Sequence, residues 1–134
     1  MMQSIKIGID PGVKTGVAFW NIPERRLMSV KTMTIIEAMD FLDNCPYYIS
    51  EVVIEDARVK WYRPDNRTLQ GAGSIKRDCS IWEEFCKSRN ITHRFVRPNK
   101  RLTKFSTGQF KMITGWQERT SEHARDAAML VYNQ

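Results

Sequence analysis

Asp10, Glu55, His123 and Asp126 are the residues of this chain whose types and spacing can do chemistry together. Asp10 closes a run, SIKIGID, in which Ile5, Ile7 and Ile9 alternate with Lys6 and Gly8, the period of a strand. Pro11 and Gly12 then set a turn, so the carboxylate stands at a strand end, and Gly16 sits where the chain is expected to bend again. Glu55 ends a second strand-like run, ISEVVIE at 49–55. His123 and Asp126 are three residues apart in SEHARDAAMLVY, a spacing that one helical face presents together. Gathered at one sheet edge, these groups form a ligand set for hard divalent cations. Mg²⁺ prefers the oxygens, while Mn²⁺ accepts imidazole more readily. Two such ions can acidify an attacking water and stabilise a leaving oxygen at a phosphodiester.

The elements that must position these residues read as an α/β pattern. Strands are expected at 4–9, 16–20, 27–33, 49–55 and 91–96. Helices are expected at 35–43, 74–88 with Ser74 as N-cap, 107–114 and 121–132, and Pro46 ends the first helical unit. Ile75, Cys79, Trp82 and Cys86, widened by Ile81 and Phe85, form the apolar stripe of the longest helix. Residues 57–73 read as a polar, basic loop, with Gly71 and Gly73 giving a flexible approach to that helix. Two adjacent parallel strands would set Asp10 and Glu55 at the same edge. The expectation is one domain over 1–134.

Composition narrows the partners. The chain of 134 residues carries a net charge of +6. Residues 58–104 alone hold thirteen Lys/Arg against four Asp/Glu, a local +9, which leaves −3 for the remainder. An acidic centre within a basic surround suits a polyanionic substrate better than a uniformly charged solubility surface. Three cysteines without paired ligand spacing argue against structural zinc and against a complete disulfide framework. No apolar run is long enough to span a bilayer, no secretory signal is evident, and a cytoplasmic protein is expected. The glycines are too sparse for a nucleotide P-loop, so no nucleotide cofactor is expected.

IGIDPGVKTG at 7–16, VVIED at 52–56 and HARDAAML at 123–130 together resemble the RuvC-like Holliday-junction resolvases of the RNase H-like superfamily. The three motifs bracket nearly the whole chain, while the middle is loosely matched. The resemblance implies an RNase H-like fold, a mixed central β-sheet of about five strands flanked by helices. It also implies that Asp10, Glu55, His123 and Asp126 hold the catalytic metals, Mg²⁺ with Mn²⁺ as substitute, two per site. Histidine at 123 departs from one common form of the pattern, where an aspartate stands, and leaves a workable ligand set. The activity implied is symmetric paired nicking of four-way DNA by a homodimer, leaving 5′-phosphate and 3′-hydroxyl ends. A phage-encoded member, acting in the host cytoplasm, or a small cellular one fits the compact form.

The resemblance also assigns the basic segments. Arg58, Lys60, Arg63, Arg67, Lys76 and Arg77 are candidate phosphate contacts, and Trp61 or Tyr62 stacks on a base at the crossover or packs on its own domain. RPNKRLTKFSTGQFK at 97–111 is similar to the family's Pro-containing, lysine-rich DNA-contact segment. Lys104 is the first candidate to approach the scissile phosphate, with Lys100 and Lys111 as alternates. The 74–88 helix is the candidate dimer surface, since its apolar width exceeds what a small sheet covers. Two other accounts compete: an RNase H-like nuclease acting on branched DNA or other duplexes, and a catalytically silent junction-binding protein. An actin-like ATPase fits least, because the chain is too short for the usual paired-domain cleft.

Overall fold

The computed structural model describes residues 3–56, 58 and 66–134, with side-chain placement from 66 to 72 and at 75 excluded. Five strands form one sheet: β1 (Ser4–Asp10), β2 (Thr15–Asn21), β3 (Arg26–Met33), β4 (Tyr48–Glu55) and β5 (His93–Val96). Their order is β3-β2-β1-β4-β5. The β1–β2–β3 meander is antiparallel, and β4 and β5 are added parallel to β1 and to each other. With its helices α1 (Ile35–Asp43), α2 (Asn66–Ser88), α3 (Thr107–Thr114) and α4 (Glu122–Val131), this is the expected α/β fold of RNase H-like topology. Among the described residues no helix is long and apolar enough to cross a membrane.

Period two along the strands divides the core. Ile5, Ile7 and Ile9 of β1, Val17 and Phe19 of β2, and Val52 and Ile54 of β4 share one face with Ala38 and Leu42 of α1 and Trp82, Phe85 and Cys86 of α2. Ala18, Trp20 and Val53 belong to the opposite face, packed with Ala124, Ala127, Ala128 and Val131 of α4 and Phe110 of α3. Asp10 and Glu55 fall on the α4 side by the same alternation, one residue beyond the parallel pair Ile9 and Ile54.

Alpha-helix α4 lies unusually close to the sheet. A Cβ added to Gly8 would stand 2.1 Å from the Ala127 carbonyl oxygen, and one added to Gly16 would stand 2.0 Å from the His123 carbonyl oxygen. Gly16 is therefore not a bend, as its position after the turn suggested. It lies within β2, paired with Asp10, and its missing side chain admits the helix backbone. Ser121 caps α4 by accepting from Ala124 N–H at 3.1 Å, and its hydroxyl also meets that of Thr32 on β3.

Two further expectations need correction. The helix expected from Ser74 begins at Asn66 and runs through Gly71 and Gly73, so the latter part of the expected loop is helical. Each interior glycine costs a helix about 1 kcal/mol, but Leu69, Ala72, Ile75 and Cys79 extend the apolar spacing of three and four across them. Strand β5 starts at His93 rather than 91, because Asn90 turns left-handed (φ 55°) and the Ile91 N–H closes α2 on the Cys86 carbonyl at 2.9 Å. On α2, Cys79, Trp82, Phe85 and Cys86 are buried within the chain, while Ile81 is half-buried. An intermolecular surface on this helix would have to use its exposed side, with Lys76, Arg77 and Glu84.

Gly16→Ala must push α4 off the sheet. We expect a loss of about 1–3 kcal/mol in urea unfolding, the scale of overpacking a tight core. An unchanged midpoint would mean that the helix does not rest on this glycine.

Candidate metal centre

The three carboxylates converge. Asp10, Glu55 and Asp126 each offer an oxygen within 4.8 Å of the other two, and all three residues are partly buried. The sheet supplies two of them through adjacent parallel strands, and α4 supplies the third across the glycine contact. The Cys79 thiol, buried on α2, contacts the Glu55 carbonyl oxygen at 3.9 Å and backs the end of β4. Beyond it, the Asp56 N–H donates to the Val96 carbonyl at 2.7 Å, which continues the parallel pairing past the site.

His123 stands beside this triad. Its Nδ1 lies 3.0 Å from Asp10 Oδ2, within hydrogen-bond reach of the carboxylate. Half of its side chain is exposed, against 13% for Asp10. The ring thus engages one carboxylate, while the mutually close group consists of the three acids.

Asp126 is partly buried on α4. Burial pushes its carboxyl above the ordinary range, and neighbouring Glu122 adds to the rise. The Lys104 backbone N–H, donating to Asp126 Oδ1 at 2.8 Å, opposes it, as do His123 and Arg125. Unit charges about 4 Å apart near a protein surface repel by roughly 4 kcal/mol, so gathered carboxylates favour a cation among them. An all-oxygen set suits Mg²⁺ or another hard divalent ion. The geometry is therefore that of a candidate divalent-metal site.

The remaining candidates are distributed around it. Lys104 adopts a left-handed backbone (φ 59°), with its N–H on Asp126 and its side chain exposed. Lys76, Arg77, Lys100 and Lys111 are exposed as well. Arg58 is engaged locally: its Nε and NH2 donate to Asp56 at 2.8 and 3.2 Å, and its guanidinium lies 4.4 Å from the Phe95 ring centre. That pair holds the Asp56 carboxyl below its usual range and explains why Asp56 is not a fourth ligand. Glu51 is likewise committed, between Lys6 and Arg94. Lys60, Trp61, Tyr62 and Arg63 lie outside the described residues, as does the side chain of Arg67. A cleft of about 190 Å³ opens beside Glu55 and Asp126, walled by Arg97, Asn99, Leu102 and Met129. The larger hollow, about 510 Å³ between Trp20, Arg26, Trp116 and Tyr132, contains none of the candidate residues.

Sequence reasoning missed the backbone role of Lys104 and the clearance provided by Gly8 and Gly16. The glycines left a signal: both share strand parity with Asp10 and Ala18, opposite a helix rich in alanine. The Lys104 contact left none, since it depends on a main-chain donor brought by a loop.

No protein-family model matches this chain, and no curated protein matches it in sequence. Among solved structures it is similar to Thermus thermophilus RuvC in complex with a Holliday junction substrate, with a TM-score of 0.65 and 14% identity over 98% of this chain and 91% of that one. A second Thermus thermophilus RuvC structure gives 0.56 and 15%, covering 96% and 91%. The likeness is one of fold and extends along almost the whole of both chains.

Asp126→Asn removes charge from the cluster but keeps an oxygen for the Lys104 N–H. Because the folded state raises the Asp126 carboxyl, its ionised form opposes folding at neutral pH and in EDTA. The variant should therefore melt higher than wild type in EDTA and lose the Mn²⁺-induced rise in Tm. A lower Tm in EDTA, or an undiminished Mn²⁺ response, would contradict this site.

Proposed function

We propose that this protein is a metal-dependent endodeoxyribonuclease that resolves four-way DNA junctions by paired, symmetric nicks. The observation that carries the reading is the convergence of Asp10, Glu55 and Asp126 at one sheet edge, bordered by exposed basic side chains. Likeness in fold to a RuvC bound to a Holliday junction substrate supports branched DNA as the class of substrate. The whole chain would act as one nuclease domain, and two copies would be needed for paired cuts across a junction of near two-fold symmetry.

In this reading Asp10, Glu55 and Asp126 hold Mg²⁺, or Mn²⁺ in its place, with His123 orienting Asp10 or completing the ligand set. The bound cations would supply an activated water and charge stabilisation at the phosphorus and at the leaving oxygen. The protein's own part is positioning. His123 donates to Asp10 and fixes the direction of that carboxylate. The Lys104 N–H fixes Asp126, and the same residue's ammonium is free to approach the scissile phosphate and balance developing negative charge. Lys100 and Lys111 flank it, and Lys76 and Arg77 extend the positive surface for the arms. Cleavage in this way leaves 5′-phosphate and 3′-hydroxyl ends.

The first test uses labelled four-way junction and matched linear duplex in Mg²⁺, Mn²⁺ or EDTA, scoring binding and cutting separately. Wild type should nick the junction symmetrically with either metal, and Asp10→Asn should bind it without cutting. Equal cutting of linear duplex would point to a broader RNase H-like nuclease. Tight binding with no cuts across several junction sequences would mean a silent junction-binding protein. Lys104→Gly separates the two roles of that residue, since glycine accepts the left-handed backbone and retains the N–H. Its cleavage rate should fall on the order of a hundredfold, the usual loss for one transition-state charge partner, with junction affinity much less changed. A wild-type rate would remove the ammonium from the reaction.

A further inference from the structure

Arg125 follows Ala124 on the helix face that packs against the sheet, yet it is a cation and only 9% exposed. Burying a guanidinium is costly unless its donors are satisfied. Its acceptors are neutral oxygens. Nε donates to the Phe105 carbonyl at 2.7 Å, and NH1 donates to the Thr120 carbonyl and hydroxyl at 3.0 Å and to Thr107 Oγ1 at 3.3 Å. The sequence neighbour of Asp126 is thus no salt-bridge partner within the cluster. It is a planar fork holding the segment before α3 and the residue that precedes the Ser121 cap of α4.

The acceptors on the first of these segments adjoin the metal-site contact. Asp126 takes the N–H of Lys104, and Arg125 takes the carbonyl of Phe105, the next residue. Two consecutive side chains of α4 therefore grip two consecutive residues of the loop. Between those grips Lys104 is in the left-handed region, which a non-glycine residue keeps only when its surroundings impose it.

We propose that Arg125 is a positioning residue for the candidate metal centre. By clamping the Phe105 carbonyl and Thr120, it holds the Lys104 N–H against Asp126 and thereby sets the direction of that carboxylate. This inference rests on the metal-dependent reading of the site and adds a residue that touches neither metal nor DNA. A carboxylate carries about four acceptor positions, so the Lys104 N–H leaves Asp126 able to bind an ion in a defined orientation.

The test compares full-length wild type, Arg125→Gln and Arg125→Lys by three readouts: exchange protection of the Lys104 amide in ¹⁵N spectra, Mn²⁺ affinity by calorimetry, and junction affinity in EDTA. Arg125→Gln should lose Lys104 protection and weaken Mn²⁺ binding by about 10–100-fold, the usual effect of removing an outer partner of a metal ligand. Its junction affinity should stay near wild type. Arg125→Lys, which keeps the charge but not the fork, should fall between the two, and it decides the matter alone if the glutamine variant does not fold. Unchanged Lys104 protection and Mn²⁺ affinity in a folded variant would overturn the proposal. Failure of wild type to cut any DNA would sink the nuclease reading, while the amide and Mn²⁺ measurements would still decide whether the clamp exists.

Discussion

The contact on which the rest of this molecule depends is between backbones: α4 resting on β1 and β2 where Gly8 and Gly16 carry no side chain. Asp10 and Glu55 come from neighbouring strands, so the sheet alone brings them together. Asp126 comes from an element far along the chain, and it reaches them only if the helix axis lies close to the sheet. Helix and sheet normally stand apart by the thickness of their side chains. Here two glycines below and the alanines at 124, 127 and 128 above remove that thickness. The His123 carbonyl sits over Gly16, which pairs with Asp10, and this registers the first turn of α4 to the end of β1. Displacement of the helix by the width of one methyl group would be felt directly at the carboxylates.

Such close packing sets an electrostatic problem that the site answers in part with its own groups. Two of the carboxylates have a neighbour that bears on them: the His123 ring meets Asp10, and the Lys104 N–H donates to Asp126. These contacts orient the acids without neutralising them. Cationic side chains close by are turned to other tasks, Arg58 to Asp56 and Phe95, and Arg125 to main-chain oxygens. Burial raises the Asp126 carboxyl, with Glu122 adding to the rise, so holding it ionised here carries a free-energy cost. A folded protein that retains such a cost at a sheet edge has kept a place for a cation.

Much of this was legible in the sequence, for identifiable reasons. Strand β1 announced itself through isoleucines at 5, 7 and 9, and β4 through Val52, Val53 and Ile54. Each run ended in the acid that mattered. The helices expected at 107–114 and 121–132 lie within a residue of α3 and α4, which Ser106 and Ser121 cap. What escaped depended on tertiary contacts. Gly71 and Gly73 read as breakers, yet helical spacing continued through them. Arg58 read as a phosphate contact because it lies in a basic run; its engagement with an acid two residues earlier and a phenylalanine of β5 left no mark in the sequence. The apolar stripe of α2 showed in the sequence, but not the sheet face of β1, β2 and β4 on which Trp82, Phe85 and Cys86 pack.

The division between rigid and adjustable parts follows from the same contact. The acids are fixed by strands and by a helix that cannot slide without colliding with the sheet. The basic side chains lie mostly outside that frame, on the segment from 97 to 106, on α3 and on α2. A polyanion approaching this edge would therefore meet a preorganised acidic centre and a surround whose long side chains can adapt to its shape. Preorganisation matters at the centre, where small displacements change the geometry of ligation. Adaptability suits the surround, where phosphate contacts set position and register more than chemistry. The 97–106 segment belongs to both parts, since it carries lysines into the surround while its backbone is bonded to Asp126 and Arg125. It is through this segment, rather than through the core, that a change in the surround would reach Asp126.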